Sequence, residues 1–472
     1  MPMTTVHQPG TVAASRADAR PVGRGGMLAI LLLAQLMAIL DANIVNVAAA
    51  SIRASLRTTG AGLQMILAGY VIAYSVLLIT GARVGGILGA RRVFLAGLAV
   101  FTAASLACGV ATAAGALTAF RFAQGAGAAV MIPQVFSLIQ RYFTGAARAR
   151  ALALYGVVIA GGIALGQILG GVLVTADLFG QSWRPVFFIN VPVGLVLLVA
   201  GVWVLPRDTP VTARRLDPAG LLALAATVLA LVVPLMFGHQ EGWPAWCWIS
   251  LVGSIVLFVG FAAVQRRVAH PLMPGRLFRA PAMIPALGAI CLMMAAYGGY
   301  LFSVALHLQS GLGYSPLRAG LTFVPMAACF AIASLAFRGL PARWHSRAIP
   351  LALLVGAASL VVVGYGMRDG SAPGALFFAA QVPFGLASGF AYSPTVTAAL
   401  ASVLPQDAPD ASGLVTTMVQ LAQVVGLAGI GSIYLALIAR HGSAGALTIT
   451  TFVEAATVVA AAGSAALLPR RG

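Results

Sequence analysis

MLAILLLAQLMAILDANIVNVAAA, residues 27–50, runs for 24 residues with a single charge, Asp41. A helix that crosses a bilayer needs about 20 apolar residues, and this stretch supplies them. Arg16, Arg20 and Arg24 precede it as they would precede a signal-peptide core. That core would be shorter and free of carboxylate, so the stretch is expected to be a retained first membrane helix. The rest of the chain repeats the pattern: 60% of its 472 residues are hydrophobic, 8% are charged, and the mean hydropathy is +0.98. Soluble domains hold roughly a quarter charged residues, so a soluble fold is excluded.

Thirteen further apolar runs of crossing length follow, at 62–82, 93–114, 116–139, 151–175, 185–205, 216–237, 246–264, 282–308, 316–337, 348–367, 374–403, 411–439 and 444–468. The expectation is an all-α polytopic membrane protein with 14 transmembrane helices. Fourteen helices would use roughly 280 residues and leave no room for a sizeable soluble domain. Positively charged loops face the cytoplasm. With the N-terminus inside, 21 of the 28 arginines fall on the cytoplasmic side, six on the other, and Arg121 alone inside a span. A miscounted helix would exchange the sides of every later loop and spoil that asymmetry. The +18 net charge therefore reads as an orientation signal toward anionic lipid, and nucleic acid is not an expected partner.

A faint repeat links Gly86-Ile87-Leu88-Gly89-Ala90-Arg91-Arg92 with Ala342-Arg343-Trp344-His345-Ser346-Arg347-Ala348; each is a short Arg-bearing loop leading into an apolar helix. Its offset fits two six-helix halves separated by an extra helix pair, as in transporters built from parallel repeats. The expected organisation is a cytoplasmic tail at 1–26, an N-terminal half at 27–205, a linker with two extra helices at 206–264, a C-terminal half at 265–468 and a short cytoplasmic tail at 469–472.

Eight of the ten acidic residues fall in tails, loops or span ends, leaving Asp41 and Glu454. An ionisable group inside a membrane helix is costly, so it faces a cavity or partner and reads as functional by default. Asp41 has Met37, Val45 and Ala48 on its own helix face, and either a proton-binding role or a helix-packing hydrogen bond would account for it. Glu454 sits in an Ala- and Val-rich last helix that is expected to lie at the periphery. Arg121 has Gln124 and Gly125 at i+3 and i+4 on one face; it can hold water, pair with a carboxylate or bind carbonyls, or else snorkel. Gly162, Gly166 and Gly170 form a smooth stripe on which another backbone can lie closely. Asn46, Gln124, Met131, Gln134, Tyr297, Tyr300, Gln309 and Gln420 are candidates to line a substrate cavity. His307, near a span end, reads first as an interfacial histidine. Cys108, Cys247, Cys291 and Cys329 are scattered singly, so neither a disulfide nor a metal site is expected. No phosphate-binding loop, dinucleotide fingerprint or nucleophile elbow is present, so no cofactor and no enzymatic activity are expected. Transport would then draw on an ion gradient, one proton across about 100 mV being worth roughly 2.3 kcal/mol.

Leu40-Asp41-Ala42-Asn43-Ile44-Val45-Asn46-Val47-Ala48 resembles the first-helix motif LDxTIVNVALP of the 14-spanner drug:proton antiporters of the major facilitator superfamily. Leu117 to Pro133, with Arg121, Gln124, Gly125, Gly127 and Ala129, is similar to that family's fourth-helix RxxQGxGxA signature. Trp183 to Gly194 resembles its WRxxFxINxPxG entry to helix six, and Gln309 to Gly320 its LQxxxGYSPLxAG segment. Ser412, Gly413, Gln420, Gly426 and Gly429 are similar to its thirteenth helix. The chain departs from the family in the gating loop, where Gly81, Gly89, Arg91 and Arg92 are kept but Gly86 and Ile87 stand for Asp and Arg. It departs again in helix five, where Gln167 replaces Pro, and in the first motif, where Asn43 and Ala50 replace Thr and Pro.

The resemblance implies the major facilitator fold and a proton-coupled efflux transporter for amphipathic drugs or secondary metabolites, multi-pass in the plasma membrane with both termini cytoplasmic, and a monomer. Asp41 and Arg121 would couple protons, Gly162, Gly166, Gln167 and Gly170 would form the helix-five interface, and the loop between helices two and three would gate. A proton-coupled symporter importing a metabolite through the same fold is the alternative, because fold fixes neither direction nor substrate.

Overall fold

The computed structural model describes residues 23–207, 217–268, 271–336, 342–403 and 408–469. Most of the expected N-terminal tail, the 208–216 part of the linker and the last three residues lie outside the described residues, as do the side chains of Arg343, Trp344, His345 and Ser346 in the second member of the faint repeat. Among the described residues every regular element is helical.

Seven helices come first: α1 (Arg24–Leu56), α2 (Gly60–Leu88), α3 (Ala90–Gly109), α4 (Ala114–Tyr142), α5 (Gly145–Ala176), α6 (Pro185–Phe188) and α7 (Asn190–Val204). A pair follows, α8 (Pro218–Phe237) and α9 (Ala245–Arg267). The chain then forms α10 (Met283–Leu306), α11 (Pro316–Thr322), α12 (Val324–Ala336), α13 (Ala342–Met367), α14 (Ala375–Ala401) and α15 (Ala408–Ala466). Twelve stretches of described helix are long and apolar enough to cross a membrane.

Local chemistry sets the ends. Thr59 caps α2, its side chain accepting from Gly62 N, and α2 gives way to α3 at Gly89, whose φ of +97° suits a residue without Cβ. The expected sixth span is two helices meeting at Ile189, and the expected tenth is broken at Phe323. The expected last two spans are two helices, one before and one after Gly442 (φ +66°, ψ +175°), which together make up α15. That single left-handed glycine turns the chain, so the second arm of α15 runs back beside the first with almost no loop between them.

Helix pairing repeats along the chain. In the first part α4 lies against α2 and α3, α1 against α5 and α7, and α3 against α7. In the last part α14 lies against α12 and α13, while α15 lies against α10 and α13. The inserted pair, α8 and α9, holds mainly to itself and touches α2 and α15. Trp248, Ile249, Val252, Ile255, Val256, Phe258 and Val259 on α9 are exposed, an apolar face suited to lipid. A polar clamp fixes the near end of this pair. Asp217 caps α8 by accepting from Gly220 N (2.8 Å) and accepts from Gln265 Nε2 (2.8 Å), while Gln265 Oε1 accepts from Met273 N (2.9 Å). Arg83 of α2 donates to the carbonyl of Pro271 just beyond it.

The two parts are bridged again at the other end of α2. Gln64 Nε2 donates to Leu427 O (3.2 Å), and Ser432 Oγ contacts both Gln64 Oε1 (3.3 Å) and Leu235 O (2.6 Å). Leu317 N donates to Thr175 Oγ1 (3.2 Å). The glycine stripe of α5 serves two neighbours. Gly162, Gly166 and Gly170 lie on Ile39, Asn43 and Ile44 of α1, in the same part of the molecule. Contact with the other part is made by Gly171 against Leu317 and by the carbonyl of Gln167 against Gly320.

Candidate functional site

Asp41 lies midway along α1 and Arg121 and Gln124 share a face of α4. Asn190 opens α7 directly after Ile189 and is buried. Packing α1 and α7 on α3 and α4 brings the four together. Arg121 Nη1 donates to Asp41 Oδ2 at 2.5 Å, and both side chains are 0% exposed. Asp41 Oδ1 accepts from Gln124 Nε2 and Asn190 Nδ2, each at 2.7 Å. Gln124 closes the ring: its Oε1 accepts from Arg121 Nη1 (2.7 Å), and its Nε2 also reaches Ser105 Oγ of α3 (2.8 Å).

The guanidinium is confined on its faces and at its stem. Its carbon sits 4.6 Å from the centre of the Tyr70 ring and 5.7 Å from that of Phe187, distances suited to cation–π attraction. Tyr70 is held by a hydrogen bond from its hydroxyl to Ala38 O (3.0 Å), and Arg121 Nε donates to Ile66 O (3.4 Å). Arg121 Nη2 is the one nitrogen of the group without a hydrogen-bond partner. Helices α1, α2, α3, α4, α6 and α7 thus each contribute to one charge pair. Both ions are out of water, so removing one partner strands the other at a cost of about 3–5 kcal/mol.

Sequence reasoning singled out Asp41, Arg121 and Gln124 but not their mutual contact, and it passed over Asn190, Ser105 and Tyr70. Asn190 could have been found as the lone amide of the Trp183–Gly194 segment; Ser105 and Tyr70 carry no signal beyond their own polarity. The apolar neighbours of Asp41 on its own helix do not describe its surroundings, since its carboxylate turns to other helices.

The remaining candidates are dispersed. Met131 is enclosed in the core of the first part. Gln134 donates to Gly81 O (2.9 Å) and Val130 O (3.1 Å), holding α4 to α2, and Gly81 lies against the Ala129–Val130 backbone. Arg91 donates to Val202 O of α7, and Arg92 is exposed. Tyr297 and Tyr300 are buried on α10; Tyr300 packs on Phe384 at 5.0 Å between ring centres and edge-on to Phe323 at 6.3 Å. Gln309 is buried, while Asn46 and Gln420 are half-buried.

Two expectations for the second part are corrected. Glu454 is 0% exposed rather than peripheral, because the second arm of α15 packs its face onto α10, where Ser303 Oγ donates to Glu454 Oε1 (3.2 Å). His307 is 0% exposed rather than interfacial, because the helix continues past it as a π-helical turn, His307–Gly311, that packs on α15. Among the described residues no group of three or more His, Cys, Asp or Glu side chains could hold a metal ion, and all four cysteines are free.

Among the described residues the helical bundle seals one ion pair, Arg121 with Asp41, away from its surface. The chain belongs to the Major Facilitator Superfamily, whose family profile matches residues 31–427. It is 35% identical over 444 residues to a protein named probable actinorhodin transporter from Streptomyces coelicolor, covering 92% of this chain and 76% of that one. It is 34% identical over 438 residues to the methylenomycin A resistance protein of the same organism, covering 91% and 90%. In fold it is similar to a bacterial homologue of the human lysosomal transporter Spinster, with TM-score 0.67 and 17% identity over 96% of this chain and 98% of that one. Membership in this superfamily makes the protein a multi-pass membrane transporter of small molecules, not an enzyme.

Proposed function

We propose that the protein exports an amphipathic small molecule across the plasma membrane in exchange for protons, with Asp41 as the proton-binding group and Arg121 as its counter-ion. The observation that carries this reading is the fully enclosed Asp41–Arg121 pair with its ring of Gln124 and Asn190. A proton arriving at Asp41 would discharge one half of the pair and leave a buried guanidinium without its anion. That state is unfavourable until water, or a rearranged Gln124 and Asn190, supplies new partners. Protonation is thereby tied to a change of packing among six helices, and the coupling is reciprocal: what favours the rearranged helices also favours the proton. Arg121 Nη2, already lacking a partner, is the donor best placed to meet incoming water.

The export direction and drug-like cargo are supported by the relatives named as an antibiotic transporter and a resistance protein. A single carboxylate paired with a cation favours neutral or monocationic cargo over dications. Fourteen crossings are supported by adding to the twelve apolar stretches the 32-residue α5 and a second crossing from α15, divided at Gly442. Cytoplasmic placement of both ends is supported by the 21-to-6 split of arginines. We take the working unit to be a monomer.

Energised inverted membrane vesicles test the reading. Adding ethidium, a monocation, or actinorhodin should collapse the pH gradient in vesicles carrying the wild-type protein, whereas a symporter would leave it standing. Asp41→Asn vesicles should show no collapse; a wild-type response from that variant would overturn the assignment.

A further inference from the structure

The repeated helix pairing allows the two parts of the molecule to be compared position by position. Asp41 on α1 and Ser303 on α10 are 262 residues apart, and Asn190 on α7 and Glu454 on the second arm of α15 are 264 apart. Within each part a hydrogen bond joins the opening helix to the closing one: Asn190 donates to Asp41, and Ser303 donates to Glu454. The carboxylate has changed sides of the contact. In the first part it stands on the opening helix with an amide facing it; in the second it stands on the closing helix with a hydroxyl facing it.

What differs is the third member. Phe384 on α14 stands 263 residues after Arg121, and it packs on Tyr300 of α10 rather than bringing a cation. Among the described residues Glu454 has Ser303 as its one hydrogen-bond partner and makes no ion pair, and its Oε2 has no partner. The Tyr300 hydroxyl, within electrostatic reach of Glu454, is also without one. The titratable groups on the elements packed against this arm are few. On α10 they are Cys291, Tyr297, Tyr300 and, past its end, His307, which lies beside Ser443 and Gly311. Among the described side chains α13 offers Arg347 at one end and Tyr365, more than half exposed, at the other; α14 offers Tyr392, and the first arm of α15 offers Tyr434 and, at its exposed end, Arg440 and His441. None of them neutralises the Glu454 carboxyl.

We infer that Glu454 is a second proton-binding site, held in the C-terminal part of the molecule at the position the Asp41 network occupies in the N-terminal part. A carboxylate closed in among apolar helices with no guanidinium against it needs a neutralising ion. A metal cation such as sodium would need several further oxygen ligands, whereas a proton needs only the free lone pair on Oε2. The step is simple binding: a proton adds to the carboxylate oxygen, giving a neutral carboxyl group, and leaves by the same bond. Asp41 exchanges its proton against a resident arginine and Glu454 exchanges one against nothing, so the two sites respond to different events. The first answers to movement of Arg121, the second to whatever lets water past Ser303 and Tyr300. The use of this second proton in transport rests on the proton-coupled reading above; its existence does not.

Infrared spectroscopy of the full-length protein reconstituted in lipid, titrated with pH, reads protonated carboxyl groups directly and needs no substrate. The wild type is expected to show two buried carbonyl components that disappear as pH rises. Glu454→Gln should remove one of them and Asp41→Asn the other. The inference is overturned if Glu454→Gln titrates like wild type, if the Glu454 component persists unchanged at every pH at which the protein stays folded, or if added sodium rather than pH abolishes it. If Glu454→Gln does not fold, Ser303→Ala takes its place. It should shift the midpoint of the Glu454 component alone, and an unshifted midpoint counts against the site. Asp41→Asn leaving both components intact would sink the proposed coupling role of Asp41 while leaving the Glu454 site standing.

Discussion

Asp41 and Arg121 satisfy each other so fully that neither can be changed alone without exposing the other. Arg121→Ala should lower stability by about 3–5 kcal/mol, read as thermal unfolding in detergent. Arg121→Lys should fail to restore transport, because an ammonium cannot reach Asp41, Gln124 and Ile66 O together as the planar guanidinium does. Pairing Asp41→Asn with Arg121→Gln should recover stability relative to Arg121→Ala and still show no proton-driven export, separating the structural from the coupling role. Asn190→Ala should cost about 1–3 kcal/mol, the penalty for an acceptor left short of a donor. The two charges were legible in the sequence because ionisable residues are rare inside the spans. Their bond was not, since 80 positions separate them and nothing local to either says which helices become neighbours. Glu454 was undervalued for a related reason: an Ala- and Val-rich helix looks the same whether it faces lipid or another helix.

Helices pack here through missing side chains. A methyl group added at Gly170 would lie 2.9 Å from Ile44 O, against main chain that cannot rotate away, whereas one added at Gly161 meets nothing within 4 Å. Gly170→Ala should therefore destabilise the protein by about 1–3 kcal/mol, the usual range for overpacking, and Gly161→Ala should not. The yield of monodisperse protein on a sizing column compares them. The glycine spacing in α5 was legible as a close-packing surface, but its two different partners were not, because the stripe is compatible with either. The positions of the turns were legible for most spans. Gly442 falls in the gap between the expected spans 411–439 and 444–468, whereas the breaks at Ile189 and Phe323 fall inside expected spans.

At the scale of the whole molecule, Gln64, Thr175 and Leu317 join the two parts at one end, and Arg83 joins them at the other through the carbonyl of Pro271. A carrier that alternates must break them in each cycle. Thr175→Cys combined with Leu317→Cys, joined by a short cross-linking reagent, should stop export, and cleavage of the link should restore it; export unaffected by complete cross-linking would show that these contacts do not open. If the arginine asymmetry sets the topology, an impermeant thiol reagent should label Gly370→Cys in intact cells and Arg207→Cys only after the membrane is permeabilised.

The atoms that make this closure have a consequence for how such a protein can change over generations. Leu427 and Leu235 contribute main-chain carbonyls and Leu317 a main-chain amide, so any residue but proline at 317, and almost any at 427 or 235, presents the same atom. Only Gln64, Ser432 and Thr175 need keep their side chains. Mutational drift can therefore rework much of this face, and with it the shape offered to cargo, without disturbing the closure on which each cycle depends.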